Sequence, residues 1–219
     1  MLVLALDTAT PASTAALVEV TADGLFGVAE SRTVDPRAHG EKLAPEIAAV
    51  LAEAGYRPRD LTAIVAGLGP GPFTGLRVGL ATAASMGQAL GIPTYGVCSL
   101  DGLGRAAGPG RVLIATDARR REVYFATYQD GDRVSGPEVA KPADVGVEGV
   151  TRAAGEGALK YGDLFGVPVE EHLLYPPGAA LVALAATRIR AGAESEVLTP
   201  LYLRRPDAVE PGARKPVLT

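Results

Sequence analysis

The chain has 219 residues, enough for one large domain or two small lobes. Hydrophobic residues make up 47% and charged residues 21%, which excludes a disordered or fibrous chain and fits an ordinary globular protein. The net charge of −4 at pH 7 argues against tight nucleic-acid binding by this chain alone, because phosphate neutralisation needs a basic surplus. The single cysteine, Cys98, excludes an intramolecular disulfide, and nothing points to an oxidising compartment, so a cytoplasmic location is expected.

Residues 2–8 form an apolar run ending at Asp7. It lacks basic flanking residues and is too short for a signal peptide or a membrane span; it suits a buried strand. A turn at Pro11-Ala12-Ser13 precedes a second strand over 14–20, and Asp23-Gly24 precedes a third over Leu25–Val34. Leu43, Ile47, Val50, Leu51 and Ala54 then share one helical face, which predicts a helix over 41–54. A fourth strand is expected over 61–68. The loop Gly69-Pro70-Gly71-Pro72-Phe73 leads into a helix over 74–90, closed by Gly91 and Pro93, and a fifth strand follows over 94–99. Three antiparallel strands followed by strand–helix–strand crossovers give the element order of a ribonuclease-H-like lobe.

Residues 102–110 are rich in Gly and Ala and mark a lobe boundary. Beyond them the pattern restarts: Val112 to Ala118 echoes Val3 to Thr8, and Asp117 lies 110 positions after Asp7. A further strand is expected over 123–128, an irregular stretch over 135–150, and a helix over 179–190. The reading is an α/β fold of two tandem ribonuclease-H-like lobes, the actin, sugar-kinase and Hsp70 architecture. Residues 1–103 form the first lobe and 104–219 a degenerate second one.

The sequence offers little for catalysis. Its two histidines, His39 and His172, lie far apart and have no ligand-spaced neighbours, so no metal site is expected. His39 reads as a polar residue at a helix start and His172 as a surface residue. Cys98 falls in an expected strand, where a buried, inert thiol is the default. The Gly69–Phe73 loop sits where helix N-termini capture anions, yet it lacks the Lys-Ser/Thr ending of a P-loop, and its prolines remove donors. Asp7, Thr8, Thr10, Gly69, Gly71 and Thr74 are the residues that could meet a nucleotide or other anion. The turns after Asp7 and Asp117 contain no glycine, which makes close backbone approach to phosphate harder.

The helix over 74–90 has one charged residue, Arg77, and one row of Gly75, Gly79, Ala83 and Gly87. Glycine costs about 1 kcal/mol in a helix relative to alanine, so such a row suggests close approach of another backbone. With Leu76, Leu80, Leu43 and Ile47 it forms an expected partner-binding surface, the alternative being packing within the lobe. The same surface predicts a homodimer when the chain is alone.

Three blocks carry a family resemblance: Leu4 to Thr10, His39 to Pro45, and Gly69 to Thr82, the last reading GPGPFTGLRVGLAT. Asp117 to Tyr124 and Pro200 to Arg204 fit the same pattern. Together they resemble the TsaB (YeaZ) family, also described as glycoprotease-like or M22-peptidase-like. The resemblance covers the first 130 residues well, the tail thinly, and 131–195 not distinctively. It implies the two-lobed actin-like fold. It also implies pairing with a catalytic paralogue, TsaD, and a small ATPase, TsaE, in a complex that uses ATP. That complex transfers a threonylcarbamoyl group to N6 of adenosine 37 in tRNAs reading codons that start with A. On this reading the chain is a non-catalytic scaffold, binds no cofactor by itself, and reaches tRNA only through the complex, with no membrane role. The paired metal-binding histidines of TsaD are missing, since Leu43 stands four residues after His39. Pro72 stands where the family more often has Ser. Arg204, Arg205, Arg214 and Lys215 in the tail are candidates to add phosphate contacts within the complex. The alternative is an independent enzyme of the same fold, either an ATP-dependent phosphotransferase or a peptidase.

Overall fold

A computed structural model describes residues 1–204. Strand β1 (Leu2–Asp7) is buried along its whole length, as its unbroken apolar run requires of a central strand. It pairs antiparallel with β2 (Ala12–Val20), which pairs with β3 (Leu25–Val34). On its other side it pairs parallel with β4 (Ala63–Gly67), followed by β5 (Thr94–Val97). The first sheet therefore has the order β3-β2-β1-β4-β5. Helix α1 (His39–Glu53) joins β3 to β4, and α2 (Phe73–Leu90) joins β4 to β5. Gly91, in the left-handed region at φ 66°, ends α2.

After β5 comes α3 (Ser99–Ala107), then β6 (Arg111–Asp117), β7 (Val123–Gln129) and β8 (Asp132–Ala140). Strand β9 (Arg152–Ala154), α4 (Glu156–Phe165), β10 (Val169–Glu170) and α5 (Gly178–Arg190) complete the second half. The second sheet has the order β10-β9-β6-β7-β8. It repeats the first, with β6, β7, β8, β9 and β10 in the places of β1, β2, β3, β4 and β5. Asp7 and Asp117 end equivalent strands, as the internal duplication predicts. A short 3-10 turn, Pro142–Asp144, stands where α1 would recur.

The layers interlock. One face of the first sheet packs Leu4, Leu6, Leu17 and Ile64 against Leu43, Ile47, Leu76 and Leu80 of α1 and α2. The opposite face packs Val3, Ala5, Ala16 and Val18 against Leu181, Val182, Ala185 and Ile189, which belong to α5 from the far end of the chain. Conversely, α3 follows the first sheet but covers the second, placing Leu100 and Leu103 on Val112, Ile114 and Tyr128. The outer face of the second sheet packs Leu113, Val123 and Ala153 against Ala158 and Phe165 of α4.

Three expectations meet a different arrangement. Residues 102–110, expected to mark the lobe boundary, lie mostly in α3, so a division at 103/104 falls inside that helix. Its glycines serve packing. A Cβ at Gly102 would lie 2.6 Å from a methyl of Leu181, and one at Gly104 would fall into the ring of Tyr128. Cys98 lies not in a strand but at the N-cap of α3, where it is buried. The stretch 135–150, expected to be irregular, begins inside β8.

Candidate functional site

Asp7 ends β1 and is buried at 1% exposure. Its Oδ1 accepts from the N–H of Ala9 at 3.0 Å and its Oδ2 from the hydroxyl of Ser99 at 2.5 Å. Ser99 Oγ also accepts from the N–H of Gly69 at 3.1 Å, and the N–H of Ser99 donates to the Gly69 carbonyl at 2.8 Å. Burial pushes the Asp7 carboxyl above its usual range, against the lowering effects of these hydrogen bonds and of Arg32. The carboxylate lies over Gly67, where any Cβ would collide with it. Asp7 and Gly69 are thus bound into the scaffold.

Thr8 is also committed. Its hydroxyl donates to the carbonyl of Gly75 at 2.8 Å and accepts from the N–H of Gly79 at 3.1 Å, pinning the first turns of α2 to the end of β1. This corrects the expectation for the glycine row. A Cβ at Gly75 would lie 2.9 Å from the His39 ring, one at Gly79 2.5 Å from Thr8 Oγ1, and one at Gly87 2.5 Å from the Thr94 methyl. The row faces the lobe's own strands and α1. Leu43, Ile47, Leu76, Leu80 and Ala83 are likewise buried inside the lobe. The close backbone approach inferred from the glycines is real, but the approaching element is intramolecular. The outer surfaces of the two helices carry small side chains instead: Ala44, Ala48, Ala49 and Ala52 on α1, and Ala81, Ala84 and Ala89 on α2, all exposed.

Of the residues expected to meet an anion, Thr10, Gly71 and Thr74 line a cleft of about 430 Å³ between the lobes. His39, Arg37, Phe73, Asp117, Arg119, Tyr124, Tyr202 and Arg204 complete its walls. His39 is 6% exposed, and burial holds its pKa below the usual value while Asp35 opposes the shift. Among the described residues its Nδ1 has no hydrogen-bond partner. Gly71 has no spare room, because a Cβ there would strike the Ala9 carbonyl.

The opposite wall is the β6–β7 turn. Arg119, Arg120 and Arg121 all have positive φ, at 61°, 52° and 60°. The left-handed conformation costs an L-residue about 1–2 kcal/mol, so the surroundings must enforce it. They do so with bonds from the Ala118 N–H to the Glu122 carbonyl and from the Glu122 N–H to the Arg119 carbonyl, both 2.9 Å. The turn therefore has the positive φ usually supplied by glycine, although it contains none. Asp117 at its base bonds Lys160 Nζ at 3.1 Å, and the Asp117 N–H donates to both oxygens of Glu156, at 3.1 and 2.9 Å. Burial pushes the Glu156 carboxyl up to about 7. Arg204 bonds the Ala118 carbonyl at 2.9 Å and pairs with Glu122. Arg205, Arg214 and Lys215 lie outside the described residues. His172 is exposed on the surface, its side chain at 82%. Among the described residues no group of three or more His, Cys, Asp or Glu side chains could hold a metal ion. No described helix is long and apolar enough to cross a membrane.

Sequence reading missed Ser99, Glu156 and Lys160. Each meets its aspartate only through the fold, 92, 39 and 43 residues away in the chain. Ser99 as the last residue of an expected strand was the only local signal.

A family model described as "TsaD: tRNA N6-adenosine threonylcarbamoyltransferase" matches residues 32–187. An uncharacterized protein of Mycobacterium tuberculosis is 50% identical over 206 residues, 94% of this chain and 93% of its own length. An uncharacterized Mycobacterium leprae protein is 49% identical, but this chain spans only 56% of it. The "tRNA threonylcarbamoyladenosine biosynthesis protein TsaB" of Escherichia coli is 37% identical over 134 residues, 59% of this chain and 55% of that protein. A solved structure of YeaZ from Pseudomonas aeruginosa superposes with a TM-score of 0.76 at 30% identity, covering 92% of this chain and 99% of the other. The chain belongs to the TsaB (YeaZ) family. The shared fold thus spans nearly all of the P. aeruginosa YeaZ chain and extends well past the first 130 residues of this one. In this TsaB-family chain, the Gly69 to Thr82 block builds the join between β4, the Asp7 turn and α2.

Proposed function

We propose that this chain is a TsaB-type subunit for threonylcarbamoyladenosine synthesis on tRNA in the cytoplasm. It acts as a non-catalytic scaffold for a TsaD-type transferase, in an assembly that includes a TsaE-type ATPase and consumes ATP. One observation carries the reading. Asp7, at the strand end where a phosphotransferase of this fold would need an accessible carboxylate, is buried and bonded to Ser99 and Ala9. Its equivalent, Asp117, is bonded to Lys160. The likeness to TsaB of E. coli supports the pathway assignment.

The partner surface is then the exterior of α1 and α2 rather than the buried glycine row. Exposed alanines on both helices let two helices of the partner lie close, giving a four-helix contact. The same face brings two copies together when the transferase is absent. The test is reconstitution with the host's TsaD-type and TsaE-type proteins, ATP, threonine-derived carbamoyl donor and unmodified tRNA. Modification should require this chain, while this chain alone should show no transfer, ATP hydrolysis or peptide cleavage. Full transferase activity without it, or turnover by the chain alone, would sink the reading.

A further inference from the structure

We propose that the mouth of the interlobe cleft is a contact surface for single-stranded RNA. Arg119, Arg121 and Arg37 meet backbone phosphates, and the stacked pair Phe73–Tyr202 receives an unpaired base. The proposal rests on the tRNA role above only for the choice of probe.

Charge is the first observation. The carboxylates at the β6–β7 turn are already paired, Asp117 with Lys160 and Glu122 with Arg204. Arg119 lines the cleft and Arg121 lies two residues on in the same turn, outside the lining; both are exposed, and among the described residues neither has a carboxylate partner. Arg37 lines the same cleft from the other lobe and is also exposed. This is a local positive surplus on a chain whose net charge is −4, and local surplus rather than total charge steers an anion. The two backbone bonds that close the turn fix where its guanidinium groups start, so less ordering is needed on binding.

The second observation is independent of charge. Phe73 and Tyr202 line the cleft with ring centroids 5.1 Å apart and planes at 28°, and they remain 40% and 38% exposed. The Arg77 guanidinium carbon sits 3.7 Å from the Phe73 centroid, and its Nε donates to the Tyr202 hydroxyl at 3.1 Å. Arg77 and the stacking hold the rings in place, and each ring stays partly open to solvent. Cations beside a rigid aromatic platform match the needs of unpaired RNA, which offers both phosphates and free base faces. A duplex hides its base faces, and a protein partner would not need the arginine surplus.

The test uses the full chain in complex with its transferase, and the full chain alone at low salt. The probe is a fluorescein-labelled tRNA anticodon stem-loop read by anisotropy, with same-length duplex RNA and ATP as competitors. Arg119→Glu/Arg121→Glu should weaken binding about tenfold or more and flatten the log–log salt slope by about 1.4. Arg119→Gln/Arg121→Gln should flatten the slope by about as much, with a smaller loss of affinity, while keeping the turn polar. Tyr202→Ala should weaken binding roughly fivefold with the slope unchanged, since stacking releases no counterions. Unchanged affinity and slope in folded arginine variants would overturn the proposal. So would equal competition by duplex RNA, or displacement by equimolar ATP. Gel filtration with the transferase is run in parallel. Lost association with RNA binding retained would count against the scaffold reading and leave this one standing.

Discussion

The hydroxyl of Ser99 donates to the carboxylate of Asp7 over 2.5 Å, joining residues 92 positions apart at the centre of the first lobe. Ser99→Ala would leave a buried carboxylate oxygen without its donor, at a cost of about 1–3 kcal/mol. Burial already raises the Asp7 pKa, and loss of the Ser99 bond removes an opposing effect. Because the bond favours the ionised carboxylate, the penalty should be at least as large at pH 8 as at pH 5. Urea unfolding at both pH values measures it; identical midpoints for variant and parent would contradict the role given to this bond.

Glu156 gives a pH dependence of defined sign. Its carboxyl is raised from 4.5 to about 7 by burial and by Asp117, while the Asp117 N–H and Lys160 oppose the rise. The folded chain thus holds this proton more tightly than the unfolded chain. The associated stability is fully present below pH 4.5 and is lost as pH rises to about 7. Glu156→Gln cannot ionise, so relative to the parent it should gain up to roughly 3 kcal/mol between pH 4.5 and 8. Parallel stability curves for the two proteins across that window would refute this.

Gly79→Ala should destabilise the fold by about 1–3 kcal/mol, because its Cβ would lie 2.5 Å from Thr8 Oγ1. Removing that oxygen with Thr8→Ala should relieve much of the clash. The double variant is then expected to lose less stability than the sum of the single changes. Additive losses in a double-mutant cycle would show that the two residues do not meet as described.

Ala81 is the contrasting position on the same helix. It is exposed, so Ala81→Arg should change stability by no more than about 0.5 kcal/mol. If the exterior of α1 and α2 is the partner face, the same change should abolish co-elution with the TsaD-type transferase. A variant with native melting and normal co-elution would place the interface elsewhere.

Cys98 is buried, and burial together with Asp101 pushes its thiol up to about 11. Alkylation by iodoacetamide at pH 8 should be slow in the folded protein and fast in concentrated urea. Rapid modification of the native chain, read by intact mass, would contradict its burial.

Much of the fold was legible because strong periodicity and turn chemistry coincide. Leu25–Val34 has the expected bounds, and α1 and α2 begin within two residues of theirs. Helix α3 was not legible, because Gly102 and Gly104 look like linker residues until Leu181 and Tyr128 are seen against them. Helix α4 escaped for a similar reason, its signals being confined to Glu156 in the first turn and Gly166 after the last. The site was legible in residue type but not in role. Thr8 and Gly79 stand out in the sequence, yet nothing local says that they bond each other across 71 positions. The glycine row correctly announced a close approach, and the groups that approach it come from its own lobe.

The exchange of α3 and α5 between the sheets has a consequence for how the molecule comes apart. Each half of the chain carries the helix that seals the other half's hydrophobic face. A cut in the Gly108-Pro109-Gly110 turn would produce two fragments, each with one bare sheet face and one orphaned helix. Neither is expected to fold by itself, yet mixing them should regenerate the native contacts, so the two sheets constitute one cooperative unit rather than a pair of separable modules.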